Sequence, residues 1–274
     1  MEKYFLFILF GASLGACNRK EENKGFLINQ VTQLSFPNGS WIDLTYDFDY
    51  QTVYWPTSEA FKLDTVFEGQ TDNDYYYSAF KFSTAEHGGT HLDAPVHFSE
   101  GKKTVDQIDI DQLNGQAMVI DVSGNCLDNR DYQITRQDIE NWEKENGRLP
   151  ENCILLFKTG YGKFWPDKSK YMGTTLSGLE GIQNLHFPGI APAAAKWLVN
   201  QRNIKAVGLD TPSIDYGQSK LFETHRILFE KNIPAFENVA NIDLLPTKGA
   251  WVIALPMKIK GGSGAPLRIV ALIP

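Results

Sequence analysis

The stretch His87-Gly88-Gly89-Thr90-His91-Leu92-Asp93-Ala94-Pro95-Val96-His97 places three imidazoles and one carboxylate within eleven residues, and it constrains the fold more than any other part of the chain. A helix would set His87 and His91 on one face, but two consecutive glycines and Pro95 oppose a helix here. A strand fits better. The four polar residues all occupy odd positions, so a period of two sends them to one side and Leu92, Ala94 and Val96 to the other. Full extension would separate His87 from His97 by roughly 33 Å at about 3.3 Å per residue. The chain must therefore bend, and Gly88, Gly89 and Pro95 are where it can. A lone histidine on a strand is most often a hydrogen-bonded structural residue. Three of the chain's five histidines in one glycine-broken segment, with an aspartate between them, point instead to a site for a borderline cation such as zinc or manganese.

The N-terminus reads as a targeting segment. Lys3 supplies a positive start, residues 4–14 form an apolar run too short to span a bilayer, and Leu14-Gly15-Ala16-Cys17 fits the lipobox of a bacterial lipoprotein. The expected organisation is a signal peptide over residues 1–16, a lipidated Cys17 with a polar tether over residues 17–26, and a catalytic domain over residues 27–274. Several acyl chains anchor stably where one does not. The acidic pair Glu21-Glu22 resembles the export signal of outer-membrane lipoproteins, so the expected location is the cell envelope, at the outer membrane. Of the remaining cysteines, Cys126 and Cys153 either pair in an oxidising compartment or stand as small buried residues.

Past residue 27 there is no repeat, low-complexity run or evident linker. Val-, Ile- and Leu-rich runs at residues 117–122, 154–157, 206–209, 251–255 and 268–273 read as strands. One helix starts at the capping pair Thr135 and Asp138, carries Ile139 and Trp142 on its apolar stripe and ends near Gly147 and Pro150. A second runs from Pro192 through Trp197 and Leu198 to Asn200, just ahead of the strand near Ile204. The expectation is a single compact α/β domain with a mixed sheet of undetermined strand order. A net charge of -7 argues against a nucleic-acid surface and leaves small molecules as the expected partners.

The histidine segment matches, without a departure, the H-x-G-T-H-x-D-x-P-x-H signature of the cyclase-like family of metal-dependent hydrolases, the family of bacterial kynurenine formamidase and isatin hydrolase. Further pieces occur in family order: Asp43-Leu44-Thr45, Trp55-Pro56, residues 156–160 followed by Tyr161, His186-Phe187-Pro188-Gly189, Val207-Gly208-Leu209-Asp210-Thr211-Pro212-Ser213-Ile214-Asp215, Glu237-Asn238-Val239, Leu255-Pro256 and Gly262-Ser263-Gly264-Ala265-Pro266. The resemblance implies a mixed sheet of the swivelling β/β/α type. It also implies that His87, His91 and Asp93 hold a first divalent ion, zinc or manganese, and that in two-ion members Asp93 bridges to a second held by His97 and Glu237. His225, twelve residues before Glu237, falls where the formamidases carry a proton carrier. His225, His97 and Glu237 are therefore the expected catalytic set.

Trp55 and Phe98 match positions whose rings wall the substrate pocket in the family. His186 lies in a matching segment and is expected to line the pocket or cap the following helix. Ser213 and Asp210 follow a strand at its C-terminal end, where α/β sites are built, and Ser213 resembles a proton-relay serine, with a helix cap as the alternative. The implied reaction uses metal-activated water on a small amide or lactam, such as an N-formyl aryl amine or an isatin-like ring. A lactone, ester or polyketide-like acid substrate and a non-catalytic binding module are the alternatives. The resemblance further implies a homodimer or homotetramer.

Overall fold

Hydrophobic runs that alternate onto two apolar faces build the centre of the molecule. The computed structural model describes residues 39–273, so the expected signal peptide, the Cys17 lipidation site and the expected tether lie outside the described residues. Twelve strands are present among them: β1 (Ser40–Asp43), β2 (Lys62–Gln70), β3 (Tyr76–Ser83), β4 (His91–Asp93), β5 (Asn114–Asp121), β6 (Gln133–Ile134), β7 (Cys153–Lys158), β8 (Gly189–Ile190), β9 (Ile204–Leu209), β10 (Ala235–Glu237), β11 (Trp251–Pro256) and β12 (Gly264–Ile273). Eight form one mixed sheet in the order β1-β12-β11-β5-β7-β9-β10-β4. Because β4 also pairs with β12, the sheet curls into a barrel-like ring with β1 attached outside the closure. Strands β5, β7, β9 and β10 run parallel, and β4, β11 and β12 run antiparallel to their neighbours.

Two separate cores follow from the alternation. Ala117, Val119, Ile154, Leu156, Ala206, Leu92 and Phe236 share one cluster with Val252, Ala254, Leu267 and Ile269. The alternate residues Met118, Ile120, Leu155, Phe157, Val207, Leu209 and Ala235 share the other with the helices. Strands buried on both faces read as continuous apolar runs, which is why their positions are visible in the sequence. At Gly208 a Cβ would lie 2.7 Å from Leu156 Cδ2 and 3.3 Å from Phe236 Cβ, so only glycine lets these strands pack this closely.

The helices are α1 (Ser123–Asp128), α2 (Arg136–Asn146), α3 (Lys168–Tyr171), α4 (Gly178–Gln183), α5 (Pro192–Gln201) and α6 (Glu223–Phe229). Helix α2 starts where expected: Thr135 Oγ1 accepts from Asp138 N, and the Asp138 carboxylate accepts from Thr135 N at 2.7 Å. Trp142 Nε1 then donates to Val119 O at 2.9 Å and ties the helix to β5. Cys126 and Cys153 are both free and buried, so the small-residue reading holds and the disulfide does not. Burial pushes the Cys153 thiol up to about 11, which keeps it protonated and unreactive. The β2–β3 hairpin had no counterpart in the sequence reading. Among the described residues no helix is long and apolar enough to cross a membrane.

Candidate metal centre

Strand register brings the polar residues together. In β4 Leu92 points into the barrel core, so His91 and Asp93, one position to either side, face outward. Antiparallel pairing sets His91 opposite Glu237 and Leu92 opposite Phe236, which places the Glu237 carboxylate on the same face as the imidazole. His91 Nε2 lies 3.0 Å from Asp93 Oδ1 and 3.4 Å from Glu237 Oε2.

The extended reading of the whole segment needs correction. Only His91–Asp93 is strand; Gly89, at φ +57, turns the chain before it, and Pro95–His97 forms a 3-10 turn after it. That turn folds His97 back until its ring stacks on His87, with centroids 3.8 Å apart. The bends fall at the glycines and the proline, as the distance argument requires. A consequence is a different partition of donors from the expected one. His87, Asp93 and His97 form one group with ligand atoms mutually within 4.8 Å, and His91, Asp93 and Glu237 form a second. Asp93 is common to both, the position of a bridging carboxylate.

The donor set fits a cation. His91 Nδ1 sits 2.9 Å from Gly89 O, so in the neutral ring the proton is directed to that carbonyl and the lone pair falls on Nε2. Nε2 is buried and has no hydrogen-bond partner. A buried imidazole nitrogen left unpaired between two carboxylates is costly without a proton or a cation. Burial alone would lower the His91 pKa, but Asp93 and Glu237 outweigh it and hold it at about 9. Burial pushes His97 down to about 4, leaving it neutral and able to donate a lone pair. Burial raises Glu237, reinforced by the Asp93 charge; it would also raise Asp93, but the surrounding imidazoles hold that carboxyl well below the usual range.

His225 enters from α6. Its Nδ1 lies 2.6 Å from Asp215 Oδ2, and its Nε2 lies 3.2 Å from Asp93 Oδ2 and 3.1 Å from Glu237 Oε1. Burial disfavours the charged ring, yet the hydrogen bonds to Asp215, Asp93 and Glu237 raise its pKa well above the ordinary histidine value. Asp215 also accepts from the backbone N–H groups of Thr224 and His225, capping the first turn of α6 while it orients the ring. Asp215 was not singled out in the sequence. The signal that could have found it is its place at the end of the Asp210–Asp215 run, ten residues before His225.

A cavity of about 250 Å³ opens onto this cluster. Trp55, Phe98 and Ser213 line it. Phe98 stacks against Phe222, with centroids 4.9 Å apart, and lies 4.6 Å from the His225 ring. Phe222, missed in the sequence, lines the cavity at φ +48, a left-handed backbone that bulky residues rarely adopt. No helix begins at Ser213, so its helix-cap reading falls away. His186 requires correction as well. It is absent from the cavity wall, and its Nδ1 pairs with Asp131 at 2.8 Å on a half-exposed surface. It caps no helix either, because α5 begins at Pro192 behind Ala191 with no side-chain cap. Asp210 is a framework group: its carboxylate accepts from Thr159 N, Thr159 Oγ1, Gly160 N and Gly162 N.

Comparison with known proteins agrees with this geometry. Residues 42–216 match the Cyclase family model. The chain is 30% identical over 247 residues to isatin hydrolase of Roseibium aggregatum, covering 87% of this chain and 88% of that protein. It is also 30% identical over 233 residues to kynurenine formamidase of Bacillus cereus, covering 84% and 96%. A solved structure of isatin hydrolase A from Labrenzia aggregata, bound to benzyl benzoate, superposes with a TM-score of 0.77 at 30% identity over 86% of this chain and 94% of that one. With most of the chain matched and the histidine signature intact, this protein belongs to the cyclase family of metal-dependent hydrolases.

Proposed function

We propose that the protein hydrolyses a small amide or lactam, of the N-formyl aryl amine or isatin-like kind, with one or two zinc or manganese ions at the Asp93 cluster. The observation that carries the reading is the buried His91 Nε2, unpaired between Asp93 and Glu237 at the floor of an aromatic-walled cavity. The relatives named isatin hydrolase and kynurenine formamidase support the substrate class.

His87, His91, Asp93, His97 and Glu237 would hold the ions. A divalent ion there supplies an activated water and polarises the substrate carbonyl. The remaining work falls to this chain's own groups. Trp55, Phe98 and Phe222 hold a flat ring against the floor and exclude bulk water. His225, fixed through Nδ1 by Asp215, turns Nε2 toward the cluster and delivers a proton to the leaving nitrogen. Ser213 lies in the cavity wall, where a hydroxyl can relay that proton. The enzyme works at the cell envelope, tethered through a lipid on Cys17, and as a homodimer or homotetramer.

The test is turnover of formanilides, isatin and lactones by the purified chain, before and after chelation and after zinc or manganese is restored. Chelator-sensitive cleavage of an amide or lactam is the expected result. Cleavage of lactones alone would move the substrate class to esters, and binding without turnover of any member would point to a non-catalytic module.

A further inference from the structure

The segment Gly262-Ser263-Gly264 lies against the metal cluster without contributing a ligand, and its chemistry is unused by the mechanism above. Ser263 Oγ donates to Glu86 Oε2 at 2.6 Å, and Ser263 N donates to the same oxygen at 3.1 Å. A hydroxyl has one proton to give, and here the carboxylate takes it. The 3.0 Å contact between Ser263 Oγ and His87 Nε2 must then run the other way, with Nε2–H donating to the serine oxygen. In the neutral ring this leaves the lone pair on Nδ1, which faces Asp93 Oδ1 at 2.7 Å. Two acceptors cannot sit that close without a proton or a cation serving both.

The two glycines make this approach possible. A Cβ at Gly262 would lie 2.9 Å from Glu86 Oε1, and one at Gly264 would lie 2.5 Å from His87 Cε1 and 2.7 Å from Leu92 O. Larger residues at these positions would push the carboxylate and the ring away from Ser263. The loop is itself pinned: Gly261 N donates to Asp106 Oδ1 at 2.9 Å, Val105 N to Gly262 O at 3.0 Å, and Ala94 N to Ser263 O at 2.8 Å.

We infer that Glu86 and Ser263 are positioning residues that fix His87 as the Nε2–H tautomer, so that it ligates through Nδ1 while His91, whose Nδ1 is tied to Gly89 O, ligates through Nε2. The inference rests on the metal reading of the cluster and adds which nitrogen of each ring is the ligand and what selects it. A ligand imidazole whose other nitrogen is held by a hydrogen-bonded carboxylate chain is oriented and made more basic, and losing such support weakens metal affinity by about 10- to 100-fold.

The test uses the full-length chain loaded with zinc, a diamagnetic probe. Nitrogen NMR of labelled histidine reads which nitrogen of His87 carries the proton, and chelator competition reads the zinc dissociation constant of the wild type, Ser263→Ala and Glu86→Gln. Expected are a proton on Nε2 and zinc on Nδ1 of His87 in the wild type, and about 10- to 100-fold weaker zinc binding in Ser263→Ala. Glu86→Gln keeps the serine in place, so it gives an independent reading should Ser263→Ala fold poorly; its affinity should fall in the same direction. Zinc on Nε2 of His87, or unchanged affinity in a folded Ser263→Ala or Glu86→Gln chain, overturns the inference and leaves the metal site standing. A wild-type chain that binds no zinc overturns both.

Discussion

At the scale of single residues, the cluster separates groups that hold charge from one that moves it. His225 has both nitrogens engaged, Nδ1 by Asp215 and Nε2 by Asp93 and Glu237, which suits a ring that carries a proton and returns it. His225→Ala should therefore retain its metal and similar KM while kcat falls by about 10²- to 10⁴-fold, the range for loss of a general acid. Steady-state kinetics on an amide substrate with parallel metal analysis measures this, and an unchanged kcat would reject the role. The candidate ligands were legible because their identities and spacing are unusual together. Asp215 and Phe222 were not, because an aspartate that caps a helix and a phenylalanine in a cavity wall look like any other aspartate and phenylalanine until the fold brings them beside His225. His186 shows the converse: it sits in a recognisable segment, yet its partner is Asp131, well apart in sequence, and neither residue lines the cavity.

At the scale of elements, the runs read as β5, β7 and β9 were found because both their faces are buried and apolar, and those at β11 and β12 because their alternate residues Val252, Ala254, Leu267, Ile269 and Ala271 fill the barrel core. The hairpin of β2 and β3 escaped because both its faces are largely exposed, so no core imposes a hydrophobic period on it. Helix α6 escaped for another reason: its buried face carries Thr224 and His225 beside Leu228 and Phe229, and a stripe broken by polar side chains does not read as amphipathic. Its placement depends on β8. A Cβ at Gly189 would lie 2.3 Å from both Asp215 C and Tyr216 N, so Gly189→Ala must displace the backbone that positions Asp215. The expected outcome is a loss of about 1–3 kcal/mol in stability together with slower turnover. Thr135→Ala serves as the contrast, removing the α2 cap at a cost of about 1 kcal/mol with kcat unchanged. Thermal unfolding and kinetics on the two variants measure both effects. Equal kcat in the two would uncouple β8 from the site.

At the scale of the whole molecule, the proposed hydrolase and its proposed lipid address are tested separately. The donors of the cluster all lie within the described residues, whereas the proposed signal peptide and Cys17 lie outside them. Acyl chains contribute about 0.8 kcal/mol per buried CH₂, so Cys17→Ser should shift the protein from the membrane fraction to the soluble fraction, as followed by fractionation and fatty-acid labelling. Unlabelled, freely soluble wild type would contradict the lipid anchor and leave the hydrolase untouched. The central claim is that His91, Asp93 and their partners hold the ions on which hydrolysis depends, and metal content per folded chain tests it most directly. Elemental analysis of the purified wild type and of Asp93→Ala should find one or two zinc or manganese ions in the first and almost none in the second, with the fold retained by circular dichroism. A folded Asp93→Ala chain that keeps the full complement of ions would contradict the account.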